Sequence, residues 1–462
     1  MKTIRVEYAV VGGGMAGLPI ANKLAFKGHP TVLFEKEALG GTCLNRGCIP
    51  TKTMVHSAKV AHTARTAHRF GVHVSAPEVD LAAVVARKNE IVAGIRGGAY
   101  RQVEKNKNLT LIPEKAVFEN PHRLRAGDTV VEAERIVINT GARPTIPPIE
   151  GLREVPFYTN RTLLDVTELP ASLLIIGGGY VGVEFAQMFA RFGSSVTIFQ
   201  RADRLVPRED PEISEVLHRV FRKEGIGWVL GAEVRRAERT PDGVRLLVAG
   251  PDGEQWHDGT SLLVAAGRTP NTDDLGLEKA GVETDARGFI PVDAAFRTNR
   301  PHIWAIGDVT GPPMFTHSAR DDADRLYRCL VKGEATTTEG RHVPHAIFTD
   351  PEIAGVGLTE AEARARGLRL KTGTYPFSRV ARARILGETD GFIKIVADAE
   401  TDRIIGAQIV GPHAGEMIHE LVVAVDAGIP FHQISRSLHI HPTLAEGVNA
   451  AAGGVHRPAG EG

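Results

Sequence analysis

The apolar positions of the chain fall into two matching series. In the first, an apolar run at 8–11 is followed by a glycine-rich turn, a helical pattern and a second apolar run at 31–34. The same succession begins at 173–176 and ends at 196–199, with a constant offset of 165 residues. Short apolar runs bounded by turn residues are typical of buried strands, and a 3.6-residue period between them is typical of a helix. Each series therefore predicts a strand–loop–helix–strand unit.

Both units carry glycines with GxGxxG spacing between the first strand and the helix. In such a loop the first glycine permits a tight turn, the second lets the backbone approach a pyrophosphate, and the third lets the helix pack on the strand. The helix N-terminus adds a partial positive charge that favours phosphate. Two copies in register favour nucleotide-binding loops over glycine-rich turns without a ligand. We predict an α/β fold with two Rossmann-like dinucleotide-binding domains, whose loops contain Gly12, Gly14 and Gly17, and Gly177, Gly179 and Gly182.

The pattern changes along the rest of the chain. A largely helical region at about 51–105 follows the first unit. After about residue 341, strand-like runs at 392–396 and 404–410 are mixed with a helical pattern near 415–428. Such mixing, without regular strand–helix alternation, predicts a separate α+β domain at the C-terminal end.

Composition excludes several classes of protein. Lys+Arg and Asp+Glu both number 55 in 462 residues, so no excess positive charge indicates a nucleic-acid partner. Three cysteines are too few for a disulfide-stabilised secreted scaffold. The apolar stretch 171–190 contains four glycines and Glu184, which makes it a poor membrane span. The N-terminus has no signal-peptide pattern. We therefore expect a soluble, cytoplasmic protein that associates with neither membranes nor nucleic acids.

The segment 40–52 contains two cysteines, Cys43 and Cys48. On a continuous helix their spacing alone would separate them by ~7.5 Å of rise, too far for a disulfide. We expect Gly47 to interrupt the helix and Pro50 to occupy the first turn of the next one. Cys48 would then lie at a helix N-terminus, which favours the thiolate. A redox-active pair is the favoured interpretation. One alternative is a metal site, but such a site would need more soft ligands than the one remaining cysteine, Cys329, supplies. The other alternative is two unreactive thiols.

Five segments together resemble the flavin-dependent pyridine nucleotide–disulfide oxidoreductases, over nearly the whole chain. The cysteine segment is similar to the active disulfide of that family, and His439–Glu446 to its C-terminal His–Glu motif. The other similar segments are Asn139–Pro144, Ala265–Asn271 and Ile306–Asp308. The resemblance implies an FAD-binding domain over 1–150 that resumes at 271–340, an NAD(P)-binding domain at 151–270 and a dimerisation domain at 341–462.

The resemblance also assigns roles to individual residues. Cys43 would be the thiol that meets substrate, and Cys48 the thiolate against the flavin. Lys52 would lie near the flavin and pair with Glu184. His441, oriented by Glu446, would exchange protons with the thiols, reaching the disulfide of the second subunit in a homodimer. FAD would further contact Glu35, Gly41, Thr42, Ala116, Thr140, Gly141, Asp308 and His317, and the nicotinamide nucleotide Gln200, Arg201, Arg204 and Gly267. No metal site is expected.

The residue that ends the second unit bears on the choice of nucleotide. Glu35 ends the first unit, but Gln200 stands at the equivalent position of the second, followed by Arg201 and Arg204. A carboxylate there would bind a ribose 2′-hydroxyl and repel a 2′-phosphate, whereas arginine binds a phosphate. We therefore favour NADPH over NADH, the alternative being that these arginines are ordinary surface charges.

The electron acceptor is less well defined. The segments 51–54, 315–317 and 378–383 are most similar to a mercuric-reductase-like branch. The cysteine pair that mercuric reductases carry near the C-terminus and their N-terminal CxxC domain are not found, and His441 with Glu446 favours thiol chemistry. We expect a disulfide, quinone or soft-metal acceptor. The alternative is a dihydrolipoamide dehydrogenase, the flavoprotein subunit of a 2-oxo-acid dehydrogenase complex.

Overall fold

The first part of the chain supplies six strands of a seven-stranded sheet that is flanked by helices, and the seventh strand comes from later in the chain. The computed structural model describes residues 2–456. Met1 and 457–462, the end of the predicted dimerisation domain, lie outside the described residues. The elements up to residue 144 are β1 (Lys2–Val11), α1 (Gly17–Phe26), β2 (Thr31–Phe34), α2 (Gly41–Arg46), α3 (Cys48–Thr66), α4 (Leu81–Lys105), β3 (Leu109–Ile112), β4 (Val117–Asn120), β5 (Arg123–Ala126), β6 (Thr129–Ile138) and β7 (Ala142–Pro144).

The second part repeats the arrangement with a smaller parallel sheet. Its elements are β8 (Ser172–Ile176), α5 (Tyr180–Phe192), β9 (Ser195–Gln200), α6 (Pro211–Lys223), β10 (Gly227–Leu230), β11 (Glu233–Thr240), β12 (Gly243–Gly250), β13 (Gly253–Gly259), β14 (Ser261–Val264) and β15 (Arg268–Pro270). The chain then returns to the first sheet through α7 (Leu277–Ala280), β16 (Ile303–Ala305) and α8 (Thr316–Lys332).

The third part is an antiparallel sheet covered by helices. It comprises β17 (His345–Ile347), β18 (Glu352–Gly357), α9 (Glu360–Ala365), β19 (Leu370–Pro376), α10 (Ala381–Leu386), β20 (Phe392–Asp398), β21 (Ile404–Gly411), α11 (Ala414–Asp426), α12 (Phe431–Arg436) and α13 (Glu446–Gly453). The strand order is β17-β18-β21-β20-β19, and every neighbouring pair is antiparallel.

The two nucleotide units have the predicted parallel topology. In the first sheet β3, β2, β1 and β6 are parallel neighbours, and β16 adds to β6 in parallel. In the second the order is β10-β9-β8-β14, again parallel throughout. β7 and β15 pair with each other as a separate two-stranded ribbon. The predicted class, α/β with two Rossmann-like units and a C-terminal α+β domain, is confirmed.

The duplication extends to the packing of the central strands. Tyr8 and Val10 of β1 face one apolar core and Ala9 and Val11 the opposite one. In β8, 165 residues later, Leu173 and Ile175 likewise face one core, and Leu174 and Ile176 the other. Both strands are buried on two faces, as their continuous apolar runs predict. Among the described residues no helix is both long enough and apolar enough to span a membrane.

Candidate active site

The first glycine loop is held in place by the carboxylate of Glu35. The backbone N–H of Gly13 donates to Glu35 Oε2 at 2.8 Å, and that of Glu37 donates to Glu35 Oε1 at 2.7 Å. A Cβ on Gly17 would lie 1.9 Å from the carbonyl oxygen of Gly12, so only glycine lets α1 approach β1 this closely. Gly14 lines the cleft, where its missing side chain leaves the backbone accessible to a ligand.

The second glycine loop has the same geometry, but the side chain that holds it is neutral. The N–H of Gly178 donates to Gln200 Oε1 at 3.0 Å, and a Cβ on Gly182 would lie 1.9 Å from the oxygen of Gly177. A Cβ on Gly179 would meet no atom within 4 Å, so the loop is open toward the cleft. The carboxylate that ends the first unit is thus replaced by a neutral amide held in the same way.

The arginines after Gln200 do not both reach this cleft. Arg201 lines it, beside the predicted Gly267. Arg204 is not among the lining residues; its guanidinium contacts Asp203 Oδ1 at 3.3 Å and donates to the carbonyl oxygen of Pro207 at 3.2 Å. The chain turns between these two arginines, and Arg208, which sequence reasoning missed, returns to the cleft wall.

Asn139 is a second residue that sequence reasoning left without a role. Its Oδ1 accepts the N–H of Gly17 and its Nδ2 donates to the carbonyl oxygen of Ile306, both at 2.8 Å. The side chain therefore fixes the glycine loop against the end of β16. An asparagine that closes a buried apolar strand must find partners, and this was the available signal in the sequence.

The remaining residues predicted for FAD line the same cleft as the first glycine loop. Gly41, Thr42, Ala116, Thr140, Gly141 and His317 all line the cleft. The Thr140 hydroxyl is buried and has no hydrogen-bond partner among the described residues, as expected for a group that contacts a ligand. His317 also has a partner within the protein, since its Nε2 donates to the carbonyl oxygen of Pro344 at 2.6 Å.

Asp308 also lines the cleft and is held there by a residue that was not predicted. Arg268 Nη2 lies 3.2 Å from Asp308 Oδ2. Burial raises the pKa of Asp308, and the arginine opposes this effect. Arg268 belongs to the segment 265–271, which carried part of the resemblance, so its position in the sequence was the available signal.

The cysteine segment is broken where Gly47 predicts. α2 ends at Arg46 and α3 begins at Cys48. A Cβ on Gly47 would lie 2.9 Å from the carbonyl oxygen of Thr42, so glycine is what lets the two helices join so closely. Pro50 lies in the first turn of α3, as predicted. The third cysteine, Cys329, is half-buried.

The pKa values of the two thiols are shifted in opposite directions. Cys43 and Cys48 are both free thiols in the structure. A hydrogen bond from Cys43 lowers the pKa of Cys48 to about 6, and the Thr316 hydroxyl and Lys52 act in the same direction. That hydrogen bond and burial raise the pKa of Cys43 well above its usual value. Thr316 Oγ1, at the start of α8, is 3.5 Å from Cys48 Sγ. These shifts favour the thiolate at Cys48 and the protonated thiol at Cys43.

Lys52 and Glu184 form the ion pair that the resemblance implies. Lys52 Nζ lies 2.9 and 2.8 Å from the two carboxylate oxygens of Glu184, and 4.7 Å from the centre of the Phe348 ring. Only 6% of the Glu184 side chain is exposed. Its Oε1 also accepts the N–H of Phe348 at 2.8 Å. All polar atoms of the buried carboxylate are thereby satisfied.

His441 and Glu446 pair with each other but lie apart from the cysteines. His441 Nδ1 is 2.8 Å from Glu446 Oε1, and the N–H of Thr443 donates to Glu446 Oε2 at 2.9 Å. The side chain of His441 is 72% exposed and does not line the cleft of its own chain. The neighbouring Leu438 and Ile440 are also largely exposed, so this region forms an apolar surface around an oriented imidazole.

One continuous cleft of about 2870 Å³ is lined by the predicted site residues other than Gly17, Gly182, Arg204, His441 and Glu446. This volume is well above the ~300–1,000 Å³ of a typical small-molecule site. Both glycine loops, both cysteines and the Lys52–Glu184 pair line it. The cleft is therefore large enough to hold two dinucleotides. Within residues 2–456, no group of three or more His, Cys, Asp or Glu side chains is arranged to hold a metal ion.

Comparison with known proteins gives consistent matches along the chain. Residues 6–323 match the family described as pyridine nucleotide-disulphide oxidoreductase, and residues 343–452 match its dimerisation domain. A mercuric reductase from Streptomyces lividans is 36% identical over 96% of this chain and 95% of that protein. A dihydrolipoyl dehydrogenase from Thermus scotoductus is 37% identical over 99% of each.

The fold comparison agrees with the sequence comparison. The structure of RclA, an HOCl-induced flavoprotein disulfide reductase from Escherichia coli, superposes with a TM-score of 0.88 and 35% identity. It covers 97% of this chain and 99% of that one.

The contact between Thr316 and Cys48 predicts a specific pH dependence. We expect the Cys48 thiolate to be lost as pH falls through about 6, and Thr316→Val to raise this midpoint by about one unit, because a hydrogen bond to a charged group is removed. The measurement is the thiolate ultraviolet absorbance against pH, taken as the difference from Cys48→Ser. Thr53→Val is the control, since Thr53 donates within α3 to the oxygen of Ile49. An unchanged midpoint in Thr316→Val would contradict the assignment.

Proposed function

The chain belongs to the pyridine nucleotide–disulphide oxidoreductase family, and from this premise we propose that it carries two electrons from NADPH through FAD to Cys43 and Cys48 and on to a small external acceptor. The acceptor class is a disulfide, a quinone or a soft-metal ion. The observation that carries the proposal is the cysteine pair, with its thiolate at Cys48, on the wall of a cleft shared by two nucleotide loops. Family members use FAD and NAD(P)H.

The residues of the first loop fit a bound flavin nucleotide. Gly14 leaves room for the pyrophosphate, Glu35 lies at the end of β2 for the ribose, and the unpartnered Thr140 hydroxyl is available to a ligand. When bound, FAD accepts a hydride from the nicotinamide nucleotide and passes two electrons to a disulfide. Lys52, paired with Glu184, places a positive charge beside Cys48 and so favours its thiolate.

The cysteines complete the transfer by exchange. Two electrons and one proton open the Cys43–Cys48 disulfide to a Cys48 thiolate and a Cys43 thiol. To reduce an external disulfide, Cys43 must lose its proton and attack one sulfur, and the departing sulfur must be protonated. The Cys48 thiolate then attacks the Cys43 sulfur of the mixed disulfide, which re-forms the Cys43–Cys48 disulfide and releases the second sulfur. The raised pKa of Cys43 means that its deprotonation needs a base. We assign this role to the partner subunit's His441, since this residue is exposed and does not line the cleft of its own chain.

A dihydrolipoamide dehydrogenase is the second candidate. The oriented His441–Glu446 pair favours a dithiol substrate, and relatives of that name are as similar to this chain as the mercuric reductase is. NAD⁺ reduction by free dihydrolipoamide, or purification with a 2-oxo-acid dehydrogenase complex, would favour this candidate. Spectral titration with NADPH and NADH, followed by a panel of disulfide, quinone and Hg(II) acceptors, distinguishes the two.

The central test concerns the roles of the two cysteines. We expect reduction by two electrons to produce a long-wavelength charge-transfer band between the Cys48 thiolate and oxidised FAD. Cys48→Ser abolishes the band, whereas Cys43→Ser shows it without any reductant, because the thiolate can no longer form the disulfide. The matched pair of variants is read by visible absorbance. Absence of the band in untreated Cys43→Ser would show that the roles are wrongly assigned.

The nucleotide preference gives a prediction with an internal control. Arg201→Glu should lower kcat/KM for NADPH by about one to two decades more than for NADH, since a charge-assisted contact is worth ~1.5–3 kcal/mol. Arg204→Ala should have little effect on either, because Arg204 contacts Asp203 and Pro207 instead of lining the cleft. Steady-state kinetics with both nucleotides measure this. Equal losses in Arg201→Glu would favour NADH.

His441 should separate the two half-reactions. His441→Ala is expected to slow disulfide turnover by ~10²–10⁴, the usual contribution of a positioned acid/base, and Glu446→Gln to slow it less. Hydride transfer from the nucleotide and quinone reduction should be nearly unchanged, since neither requires thiol proton transfer. Both acceptors are assayed on one preparation. Equal loss with both would indicate a structural role for His441, and no loss with the disulfide would favour a metal acceptor.

A further inference from the structure

The segment that connects α8 to the third sheet folds back along α8. We call residues 337–344 the strap. Arg325 donates to the carbonyl oxygen of Thr337 at 2.8 Å, and His317 donates to that of Pro344 at 2.6 Å. Between these ends, Arg341 of the strap turns into the protein. The anchoring positions on α8, His317 and Arg325, are eight residues apart, so the strap runs along about two turns of the helix.

Arg341 binds several acceptors on that face. Its Nη1 lies 2.5 Å from Asp322 Oδ1 and 3.0 Å from Asp321 Oδ2, and its Nη2 is 3.2 Å from the hydroxyl of Ser318. Only 15% of the Arg341 side chain is exposed. The planar guanidinium reaches all three groups at once, which a lysine ammonium cannot do in the same geometry.

Asp322 links Arg341 to a turn that reaches the cleft, because it binds both Arg341 and the backbone of Gly307. Its side chain is 5% exposed, and its Oδ2 accepts the N–H of Gly307 at 3.0 Å. Gly307 has a φ of 74° and precedes Asp308, which lines the cleft. Burial raises the pKa of Asp322, and Arg341 and the Gly307 amide oppose that effect. Without Arg341, a buried carboxylate would lie unpaired at the base of this turn.

The same helix carries the contact to the cysteines. α8 begins at Thr316, whose hydroxyl is 3.5 Å from Cys48 Sγ. Ser318, Asp321 and Asp322 lie on the first two turns of α8, directly after Thr316. Displacement of these turns would therefore alter both the Gly307–Asp308 turn and the environment of the Cys48 thiolate.

We propose that Arg341 is a positioning residue for the redox site, which holds the start of α8 and, through Asp322, fixes the Gly307–Asp308 turn toward the flavin. The inference rests on the flavin site of the proposed function. Arg341 contacts neither the cleft nor the cysteines. It acts through the start of α8, which contacts Cys48, and through the Gly307–Asp308 turn, which reaches the cleft. The strap thereby ties the geometry of the flavin site to the position of the third sheet.

The test compares Arg341→Ala with the double variant Arg341→Ala/Asp322→Asn. We expect the single variant to raise the dissociation constant of FAD by at least about tenfold, because a buried charge loses its partner. It should also raise the pH midpoint of the Cys48 thiolate. The double variant should recover most of the FAD affinity, since asparagine removes the charge and keeps an oxygen for the Gly307 amide. Flavin fluorescence on dilution measures the first quantity, and thiolate absorbance the second.

Arg325→Ala is the matched control. It removes a strap contact and the pair with Asp321 at 2.6 Å, but leaves Asp322 and Arg341 in place, so FAD affinity should change less than about threefold. Should Arg341→Ala not fold, Arg341→Lys keeps the charge without the fork and should show a smaller loss in the same direction. Equal losses in Arg325→Ala and Arg341→Ala, or no recovery in the double variant, would overturn the inference alone. A folded wild-type protein that cannot bind FAD would overturn the proposed function as well.

Discussion

A single buried carboxylate joins the three parts of the molecule. Glu184 of α5 binds Lys52 of α3 and the amide of Phe348, which precedes the third sheet's second strand. A buried ion pair contributes little net stability, but removal of either partner is costly, so such a pair fixes the register of the surfaces that carry it. Here it sets where the second glycine loop, at the start of α5, lies relative to Cys48, one turn before Lys52.

The same face of α5 extends this constraint along the helix. Gln187 accepts the N–H of Asp350 at 2.7 Å and donates to its carbonyl oxygen at 2.8 Å, and Arg191 contacts its carboxylate at 2.8 Å. Residues 184, 187 and 191 are spaced to lie on one side of a helix. The second nucleotide unit is therefore aligned on the third domain by polar contacts, which are directional, and not only by apolar packing, which is not.

The sequence predicts those features of the fold and the site that depend on residues close together in the chain. The duplicated units and the helix break at Gly47 follow from motifs whose residues lie close together or in register with a second copy. The Lys52–Glu184 pair joins residues that are 132 positions apart, and only the family resemblance implies it. Arg204 shows the limit. It stands near Gln200 in the sequence, but the turn that follows β9 directs it to Pro207 and brings Arg208 to the cleft. Asn139, Thr316 and the Asp322–Arg341 pair act across long sequence separations or through the return of the chain to the first sheet, which no local pattern specifies.

The two glycine loops show how one scaffold can present different charges to its ligand. Glu35 and Gln200 each accept the N–H of the second loop residue, at 2.8 and 3.0 Å. Because the backbone amide holds both side chains in the same position, the exchange of carboxylate for amide removes a negative charge without moving the wall of the site. Arg201 and Arg208 then add positive charge to that wall. A 2′-phosphate would meet no carboxylate at position 200, and this difference between otherwise equivalent loops is the basis of our proposal that NADPH is the electron donor.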